Sequence, residues 1–364
     1  MSAAAPTWYA HARDRSWSCA SPSEEAVAFH RSLDGYAPTP LVDLPDLARE
    51  LGVAHVVAKD ESSRLGLPAF KGLGASWAVH RALASASPGT PVTVVTATDG
   101  NHGRAVARFA RLAGQRASIV VPPGVHPSAV QAIRDEGAEV TEHPGSYDDA
   151  VAEAARLAER IGGVLVQDTA WAGYEEVPGW IVEGYATLFA EADEQLRDRG
   201  HPRSDVAFVP TGVGSLLQAA LAHYRGERAA PGTAVVSAEP EAAACMAPSL
   251  TAGHPVTVAT GTTVMAGLNC GTPSSLAWPF IVHGLDAAVA VSERADIRAA
   301  HDLARRGVHA GPCGAASLAA ARLALAGPGA KERREHLGVD PDSVILLVIT
   351  EGSGANPVPA LESA

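Results

Sequence analysis

The sequence has few of the features that mark membrane-spanning, secreted or nucleic-acid-binding proteins. Aromatic residues make up only 5% of its 364 residues, which gives little material for stacking nucleic-acid bases. No run of about 18 apolar residues occurs, so a transmembrane helix is not expected. The start, MSAAAPTWYAHARDRSWSCA, lacks a basic stretch followed by an apolar one, so no secretory signal is predicted.

The cysteine and basic residues also show none of the spacings that are typical of metal sites or of nucleic-acid-binding surfaces. The four cysteines, Cys19, Cys245, Cys270 and Cys313, form no CxxC pair and show no zinc spacing. We therefore expect no metal site, free thiols and a cytoplasmic location, although pairing of Cys245 with Cys270 stays open. The net charge of −12, with no Lys/Arg block, disfavours nucleic-acid and anionic-membrane binding.

The residues that are present indicate a two-domain α/β protein. Apolar residues make up 47% and charged residues 19%, an ordinary globular balance in a chain that is long for a single core. Apolar runs alternate with amphipathic helical patterns, which predicts parallel sheets covered on both faces. The predicted strand segments, each taken together with the turn or loop into which it leads, lie at 56–62, 91–103, 117–124, 138–145, 163–170, 206–214, 234–240 and 343–352. Helices are predicted over 71–84 and 104–113.

Three glycine-containing turns, DGNHG, TGVGS and TEGSG, follow predicted strands. Ligands of parallel sheets bind beyond the carboxyl ends of the strands, where these turns fall. The stretch TGVGS opens a predicted helix at Ser215, and the free amides of a helix start favour a phosphate. A plain tight turn is an equally good interpretation. Leu217 stands where GxGxxG needs its third glycine, so a dinucleotide site is not predicted.

Lys71 lies at the start of a predicted helix, after Phe70 and before a glycine-rich apolar segment. Apolar surroundings should lower the pKa of its amine, which favours imine formation with a carbonyl group. From these residues alone, an ordinary surface lysine is the simpler interpretation.

The turn TATDGNHG places Asp99, Asn101 and His102 directly after a strand. Asn101 could hydrogen-bond a phenolate oxygen of a ligand, and Asp99 could meet an amine or an acidic C–H. Both residues also serve as ordinary turn or N-cap residues. We interpret His102 as structural.

Two further strand ends carry polar side chains. Asp168 follows VLVQ and precedes the aromatic residues Trp171, Tyr174 and Trp180, so it is a candidate base with a raised pKa. A core aromatic cluster with a capping Asp is the simpler alternative. Thr350 ends the last strand, where its hydroxyl could hydrogen-bond a ring nitrogen or merely belong to a terminal loop.

The order and joint content of these segments resemble those of fold-type II pyridoxal-phosphate enzymes. The segments AFKGLGA, TDGNHGRAVA, QDTAWAGYEEVPGWIVEGY, TGVGS, TVMAGLNCGTPSSLAW and VITEG carry the resemblance. Within that group the chain is most similar to the diaminopropionate ammonia-lyases, over a stretch from about Gly35 to Pro357.

The resemblance implies a tryptophan synthase β-like α/β fold of two three-layer α/β/α domains with mostly parallel sheets. A large domain (1–77 and 201–364) would bind the cofactor, and 78–200 would form a small, mobile domain. A homodimer is also implied.

The resemblance further implies which residues hold pyridoxal 5'-phosphate. Lys71 would bind it covalently, next to Phe70, and Asn101 would hydrogen-bond its ring oxygen. Thr350 would face its ring nitrogen. Its phosphate would be bound by Gly212, Val213, Gly214 and Ser215.

Lys71, Asp99 and Asp168 would be the catalytic residues, with one carboxylate recognising a second amine and the other moving a proton. The implied reaction is elimination of ammonia from D- or L-2,3-diaminopropionate, which gives pyruvate and ammonia. The segment GPCGA (311–315) and the ending TEGSGANP (350–357) depart from the pattern of the relatives. A serine/threonine-type dehydratase, a β-replacement synthase on a modified amino acid, and a non-catalytic cofactor-binding sensor therefore remain alternatives.

Overall fold

The computed structural model describes residues 7–14, 16–85 and 91–361. Residues 1–6 and 15 of the segment inspected for a signal lie outside them. The described residues divide into two compact units. Unit 2 comprises Glu24–Tyr36 and Arg64–Thr187, and unit 1 comprises the rest of the described chain. No helix within the described ranges is long and apolar enough to cross a membrane.

The described residues contain eleven β-strands and thirteen α-helices. The strands are β1 (Trp8–Ala10), β2 (Leu41–Asp43), β3 (His55–Asp60), β4 (Thr93–Ala97), β5 (Arg116–Val121), β6 (Glu139–Glu142), β7 (Val164–Leu165), β8 (Val206–Pro210), β9 (Ala234–Pro240), β10 (Ala287–Val291) and β11 (Val344–Ile349). The helices are α1 (Glu25–Ser32), α2 (Pro45–Leu51), α3 (Lys71–Ala84), α4 (Asn101–Leu112), α5 (Pro127–Asp135), α6 (Tyr147–Ile161), α7 (Glu176–Asp198), α8 (Ser215–Arg225), α9 (Met246–Ala252), α10 (Trp278–Gly284), α11 (Glu293–Ala304), α12 (Pro312–Leu325) and α13 (Ala330–Leu337).

Unit 1 is built on a seven-stranded sheet in the order β1-β10-β9-β8-β11-β3-β2. Its five central strands are parallel, and antiparallel β1 and β2 close the two edges. Every residue of β8, β9, β10 and β11 is buried, as expected for parallel strands covered on both faces. Helix α12 packs on this sheet with 12 of its 14 residues buried, because its alanines and glycine allow close contact.

Unit 2 has a parallel four-stranded sheet in the order β6-β5-β4-β7. Helix α6 covers β4 and β5 with a stripe of alanines, Ala150, Ala154 and Ala158, which pack against Val95 and Val120. The carboxyl ends of β4 and β7 are neighbours. The segments that follow them, which contain Asp99 and Asp168, therefore leave the sheet at the same edge.

The mixed α/β fold with mostly parallel sheets predicted from the sequence is confirmed. The predicted strand segments contain β3 to β9 and β11 in full or in large part, whereas β1, β2 and β10 were not predicted. The compact units divide the chain at other residues than the expected domains, 1–77 with 201–364 and 78–200. The start of α3 groups with unit 2 because it packs on α4 and α7. The mobility of residues 78–200 stays a prediction.

Two glycines let helices α3 and α7 cross at very short range within unit 2. A β-carbon on Gly184 would lie 2.6 Å from the Leu73 carbonyl oxygen and 2.9 Å from Gly74 Cα. A β-carbon on Gly74 would lie 2.5 Å from the Tyr185 ring. The crossing brings Tyr185 of α7 against the first turn of α3, where Lys71 lies.

We expect Gly184→Ala to destabilise the protein by about 1–3 kcal/mol, because the added methyl group meets backbone atoms that have no alternative position. Gly179→Ala, in the same helix, is the matched control. A β-carbon at Gly179 meets nothing within 4 Å, so its better helix propensity should stabilise by up to about 1 kcal/mol. Chemical denaturation of both variants measures the difference, and equal stabilities would contradict the close crossing.

Candidate active site

In unit 2, Lys71 forms an ion pair with Asp168. Helix α3 begins at Lys71, and its Nζ donates a hydrogen bond of 2.7 Å to Asp168 Oδ2. The two side chains are 26% and 13% exposed. The Lys71 Nζ also lies 5.4 Å from the centre of the Phe70 ring and 5.9 Å from that of Tyr185. Both predicted residues, Lys71 and Asp168, are thus brought together, with Phe70 beside them.

The ion pair reverses two expectations about pKa values. Burial would lower the pKa of Lys71, but the charge and hydrogen bond of Asp168 raise it well above its ordinary value. Burial would raise the pKa of Asp168, but the charge of Lys71 and the hydrogen bond from Lys71 hold it far below its ordinary value. The predicted low pKa of Lys71 and raised pKa of Asp168 are therefore wrong in this state, because each group has an ionised partner.

The end of β7 is held in place by the side chain of Tyr174. Its hydroxyl donates to the Leu165 carbonyl and accepts from the Gln167 amide, each at 2.9 Å. Gln167 Nε2 in turn donates to Asp168 Oδ1 at 3.3 Å. Trp171 stacks on Tyr174 with ring centres 4.3 Å apart. The aromatic segment after Asp168 thus fixes the strand end that presents this carboxylate.

The DGNHG turn starts helix α4 within the same unit. Thr98 Oγ1 accepts from the amides of Gly100 at 2.9 Å and Gly103 at 3.0 Å. Asn101 is the first residue of α4, and Asp99 lies exposed before it.

Sequence reasoning missed Tyr185 as a site residue. Its side chain is fully buried, its ring centre is 4.7 Å from that of Phe70, and its hydroxyl has no hydrogen-bond partner among the described residues. Burial raises its pKa to about 12, so the hydroxyl stays protonated. The only signal in the sequence was the glycine before it, which permits the helix crossing.

Unit 1 contains the predicted phosphate-binding loop, between β8 and α8. Gly214 has φ 103°, a conformation that favours glycine, and it directly precedes helix α8. A β-carbon on Gly212 would lie 3.1 Å from Cys270 Sγ and 3.2 Å from the Gly267 carbonyl oxygen. Ser274 donates its amide to the Val213 carbonyl at 2.7 Å. The first amides of α8, beginning with Ser215, have no acceptor within the helix.

Thr350 follows β11, the parallel neighbour of β8, so it lies at the same sheet edge as this loop. Its side chain is buried, and Oγ1 has no hydrogen-bond partner among the described residues. The neighbouring Glu351 Oε1 accepts the Cys313 amide at 3.3 Å, at the start of α12. The segment GPCGA (311–315), which departs from the pattern of the relatives, thus packs against residues 350–352.

Glu239, near the end of β9, is a second residue that sequence reasoning missed. The carboxylate is buried and accepts the amides of Cys245 at 3.0 Å and Met246 at 3.1 Å. Burial raises its pKa to about 8, although both amides lower it. No disulfide joins Cys245 and Cys270 in this structure.

The raised pKa of Glu239 predicts a stability that falls with pH. Between about pH 4.5 and 8, the folded chain keeps a proton that the unfolded chain releases, so the unfolding free energy decreases as pH rises. Glu239→Gln has no proton to lose and can still accept both amides. As the pH rises from about 4.5 to about 8, we expect the unfolding free energy of this variant to increase by about 2–4 kcal/mol relative to that of the wild type. Denaturation at both ends of the range measures this, and parallel pH profiles would contradict it.

These residues offer the groups that pyridoxal phosphate requires. Within unit 2, Lys71 carries an amine. Within unit 1, there are a glycine-lined helix start and the buried Thr350 hydroxyl, which has no hydrogen-bond partner in the described part of the chain. Those features fit, respectively, a carbonyl group, a phosphate and a ring nitrogen. Among the described residues, no group of three His, Cys, Asp or Glu side chains is placed to hold a metal ion.

Comparison with known proteins identifies the family. Residues 33–351 match the model of the pyridoxal-phosphate-dependent enzyme family. The chain is 41% identical to the diaminopropionate ammonia-lyase of Salmonella typhimurium strain LT2 over 280 residues, which is 71% of this chain and 69% of that protein. It is 35% identical to the diaminopropionate ammonia-lyase of Escherichia coli strain K12 over 355 residues, 91% of this chain and 88% of that protein.

Solved structures agree with this assignment. The crystal structure of the Escherichia coli diaminopropionate ammonia-lyase in complex with an aminoacrylate–PLP azomethine reaction intermediate superposes with a TM-score of 0.86 at 32% identity. The superposition covers 95% of this chain and 93% of that one. The chain therefore belongs to the pyridoxal-phosphate-dependent enzyme family, in the branch that contains the diaminopropionate ammonia-lyases.

Proposed function

We propose that the protein eliminates ammonia from 2,3-diaminopropionate and yields pyruvate and ammonia. The observation that carries this proposal is the ion pair of Lys71 with Asp168, at 2.7 Å. An ionised carboxylate beside the reactive amine suits a substrate with a second ammonium group. A serine or threonine hydroxyl offers no such charge. The names and identity of the relatives support the same substrate.

The residues proposed for the cofactor are those inferred from the sequence. Lys71 would bind it covalently with Phe70 beside it, Asn101 would hydrogen-bond its ring oxygen, and Thr350 would face its ring nitrogen. The phosphate would be held by Gly212, Val213, Gly214 and Ser215. When bound, pyridoxal phosphate supplies an electron sink that acidifies the α-proton of an amino acid.

The chain's own residues would then move protons around the substrate. The Lys71 amine, or the Asp99 carboxylate, would take the α-proton, and the two groups would serve opposite enantiomers. Asp168 is ionised, so it would bind the β-ammonium group and orient it rather than act as the base of raised pKa first inferred from the sequence. The β-nitrogen would leave as neutral ammonia, taking the electron pair of the C–N bond and keeping its three protons, so the ammonium form that Asp168 would bind is the form that can leave.

Asp99→Asn tests the assignment of two bases. We expect a loss of about 10²–10⁴-fold in kcat for one enantiomer of 2,3-diaminopropionate and a much smaller loss for the other. The reason is that the amide cannot accept a proton, whereas Lys71 is retained. Steady-state kinetics with each pure enantiomer measure both values. Equal losses of kcat for the two enantiomers would show that Asp99 is not the base for either one alone.

The experiment for the proposed function is release of pyruvate and ammonia by the purified holoenzyme. Two ammonia per pyruvate from D- or L-2,3-diaminopropionate, with slower turnover of serine and threonine, supports the lyase. Preferential turnover of serine or threonine supports a dehydratase instead. Products formed only with an added nucleophile indicate a β-replacement synthase. Bound cofactor without turnover of any of these amino acids indicates a sensor.

We also propose a homodimer located in the cytoplasm. The dimer rests on the family resemblance, and the location rests on the pattern of cysteine use. Light scattering of the purified protein and fractionation of its native cells measure the two directly.

A further inference from the structure

His102 is the third polar side chain of the Lys71–Asp168 cluster, and its ring orientation is fixed. The side chain is 3% exposed, and Nε2 lies 2.8 Å from the Val166 carbonyl oxygen. A carbonyl oxygen can only accept, so Nε2 carries a proton. Burial lowers the pKa of His102, which keeps the ring neutral. Its Nδ1 therefore presents a lone pair.

This lone pair has no hydrogen-bond donor among the described residues. His102 Nδ1 is buried and lies 3.9 Å from Asp168 Oδ2, so two acceptors face one another across a short gap. Lys71 Nζ donates to Asp168 Oδ2 but not to His102 Nδ1. Buried acceptors normally find donors, so the gap calls for a group that can donate twice.

We propose that His102 Nδ1 and Asp168 Oδ2 jointly accept N–H bonds from the β-ammonium group of the substrate. This inference rests on the proposed function. The Lys71 ammonium occupies a comparable place beside Asp168 in the cofactor-free chain. It gives up N–H bonds when its nitrogen bonds to a carbonyl carbon, and the carboxylate then needs a new cation.

His102 Nδ1 and Asp168 Oδ2 select an amine over a hydroxyl because an ammonium group has more hydrogen-bond donors. An ammonium group has three N–H bonds and can satisfy both acceptors at once, whereas a serine hydroxyl has a single O–H. Binding of serine would leave one buried acceptor unpaired, which a site built for two bonds rejects strongly. His102, interpreted from the sequence as structural, thereby becomes a specificity-determining residue.

Two substitutions separate this role from a structural one. In His102→Gln, the side-chain amide can still donate to the Val166 carbonyl, but no acceptor remains at the position of Nδ1. In His102→Asn, the side-chain oxygen can accept near that position, but the bond to Val166 is lost. His80→Asn, at an exposed histidine of the same unit, is the control.

The readouts are kcat/KM for 2,3-diaminopropionate and the Kd of D-serine, obtained by titrating the holoenzyme spectrum. For His102→Gln we expect kcat/KM to fall about 10- to 100-fold, because a hydrogen bond to a charged group is lost, while the Kd for D-serine changes less than about threefold. For His102→Asn, selectivity for the diamine should be retained and thermal stability should fall. The His80→Asn variant should match the wild type.

The opposite pattern overturns the proposal. His102→Gln could behave like the wild type, or it could lower kcat/KM for the diamine and weaken the binding of D-serine by the same factor. In either case His102 acts only through its bond to Val166. A wild type that does not turn over the diamine overturns the proposed function and this inference together. An active wild type with an unselective His102→Gln overturns this inference alone.

A measurement without cofactor or turnover checks the tautomer. Nitrogen-15 NMR of the cofactor-free protein should show His102 with Nε2 protonated and Nδ1 unprotonated at neutral pH. A protonated Nδ1 would contradict the two-acceptor arrangement.

Discussion

Lys71→Arg should lower kcat/KM for 2,3-diaminopropionate by about 10⁴-fold or more, because the covalent attachment of the cofactor is lost. Arginine keeps the positive charge and can still pair with Asp168, which lies 2.7 Å from the Lys71 amine. Its guanidinium cannot be deprotonated in proteins and so cannot form an imine. The substitution therefore separates the covalent role of Lys71 from its charge. Turnover and the visible absorbance of the purified variant measure the two effects.

Lys331→Arg is the matched control for this substitution. Lys331 is exposed on α13, and its Nζ lies 4.0 Å from Glu335 Oε1. We expect this variant to keep wild-type turnover and absorbance. Substantial turnover by Lys71→Arg would place the covalent chemistry on another residue.

Asp168→Asn should lower kcat/KM for 2,3-diaminopropionate by about 10²–10³-fold, since truncating one partner of a buried charge pair costs about 2–5 kcal/mol. The neutral amide would hold the β-ammonium group of the substrate far less strongly. Turnover kinetics of the holoenzyme measure this, with Asp148→Asn, at an exposed position on α6, as the control. A loss confined to kcat, with binding of the diamine unchanged, would contradict the recognition role of Asp168.

The same variant should change the titration of Lys71. The carboxylate raises the pKa of the Lys71 amine, so the wild-type amine stays protonated and unreactive to higher pH. In Asp168→Asn the burial that lowers the pKa acts without that compensation. We expect Lys71 of the cofactor-free variant to react with amine reagents at a lower pH than in the wild type. Peptide mass spectrometry across pH measures the shift.

Much of the fold could be predicted because its signals are local. The run VILLVI is apolar throughout, and it forms the buried central strand β11. The predicted helix over 71–84 is observed over the same residues, since Ala and Leu favour helices and Lys71 opens the first turn. The short edge strands β1 and β2 were missed because each has three residues and depends on pairing with a neighbour.

The chemistry of the site was harder to predict because it depends on contacts between distant residues. Lys71 and Asp168 could each be predicted from its own segment of the sequence, but their ion pair reverses the pKa shift expected for each. Tyr185 and His102 carry buried atoms that have no hydrogen-bond partner among the residues the structure describes, and no local pattern reveals this. The position of Tyr185 depends on the crossing of α3 with α7, and the orientation of the His102 ring depends on its bond to the Val166 carbonyl.

The most direct measurement is to find which lysine carries the cofactor. The sequence contains three lysines: Lys59, Lys71 and Lys331. Lys59 is fully buried and donates to Glu191, Gln195 and the Thr39 carbonyl, whereas Lys331 is exposed. Reduction of the holoenzyme with borohydride, followed by digestion and mass spectrometry, should find pyridoxyl phosphate on the peptide of Lys71 alone. The label on Lys59 or Lys331, or no label on a yellow and active protein, would contradict the site.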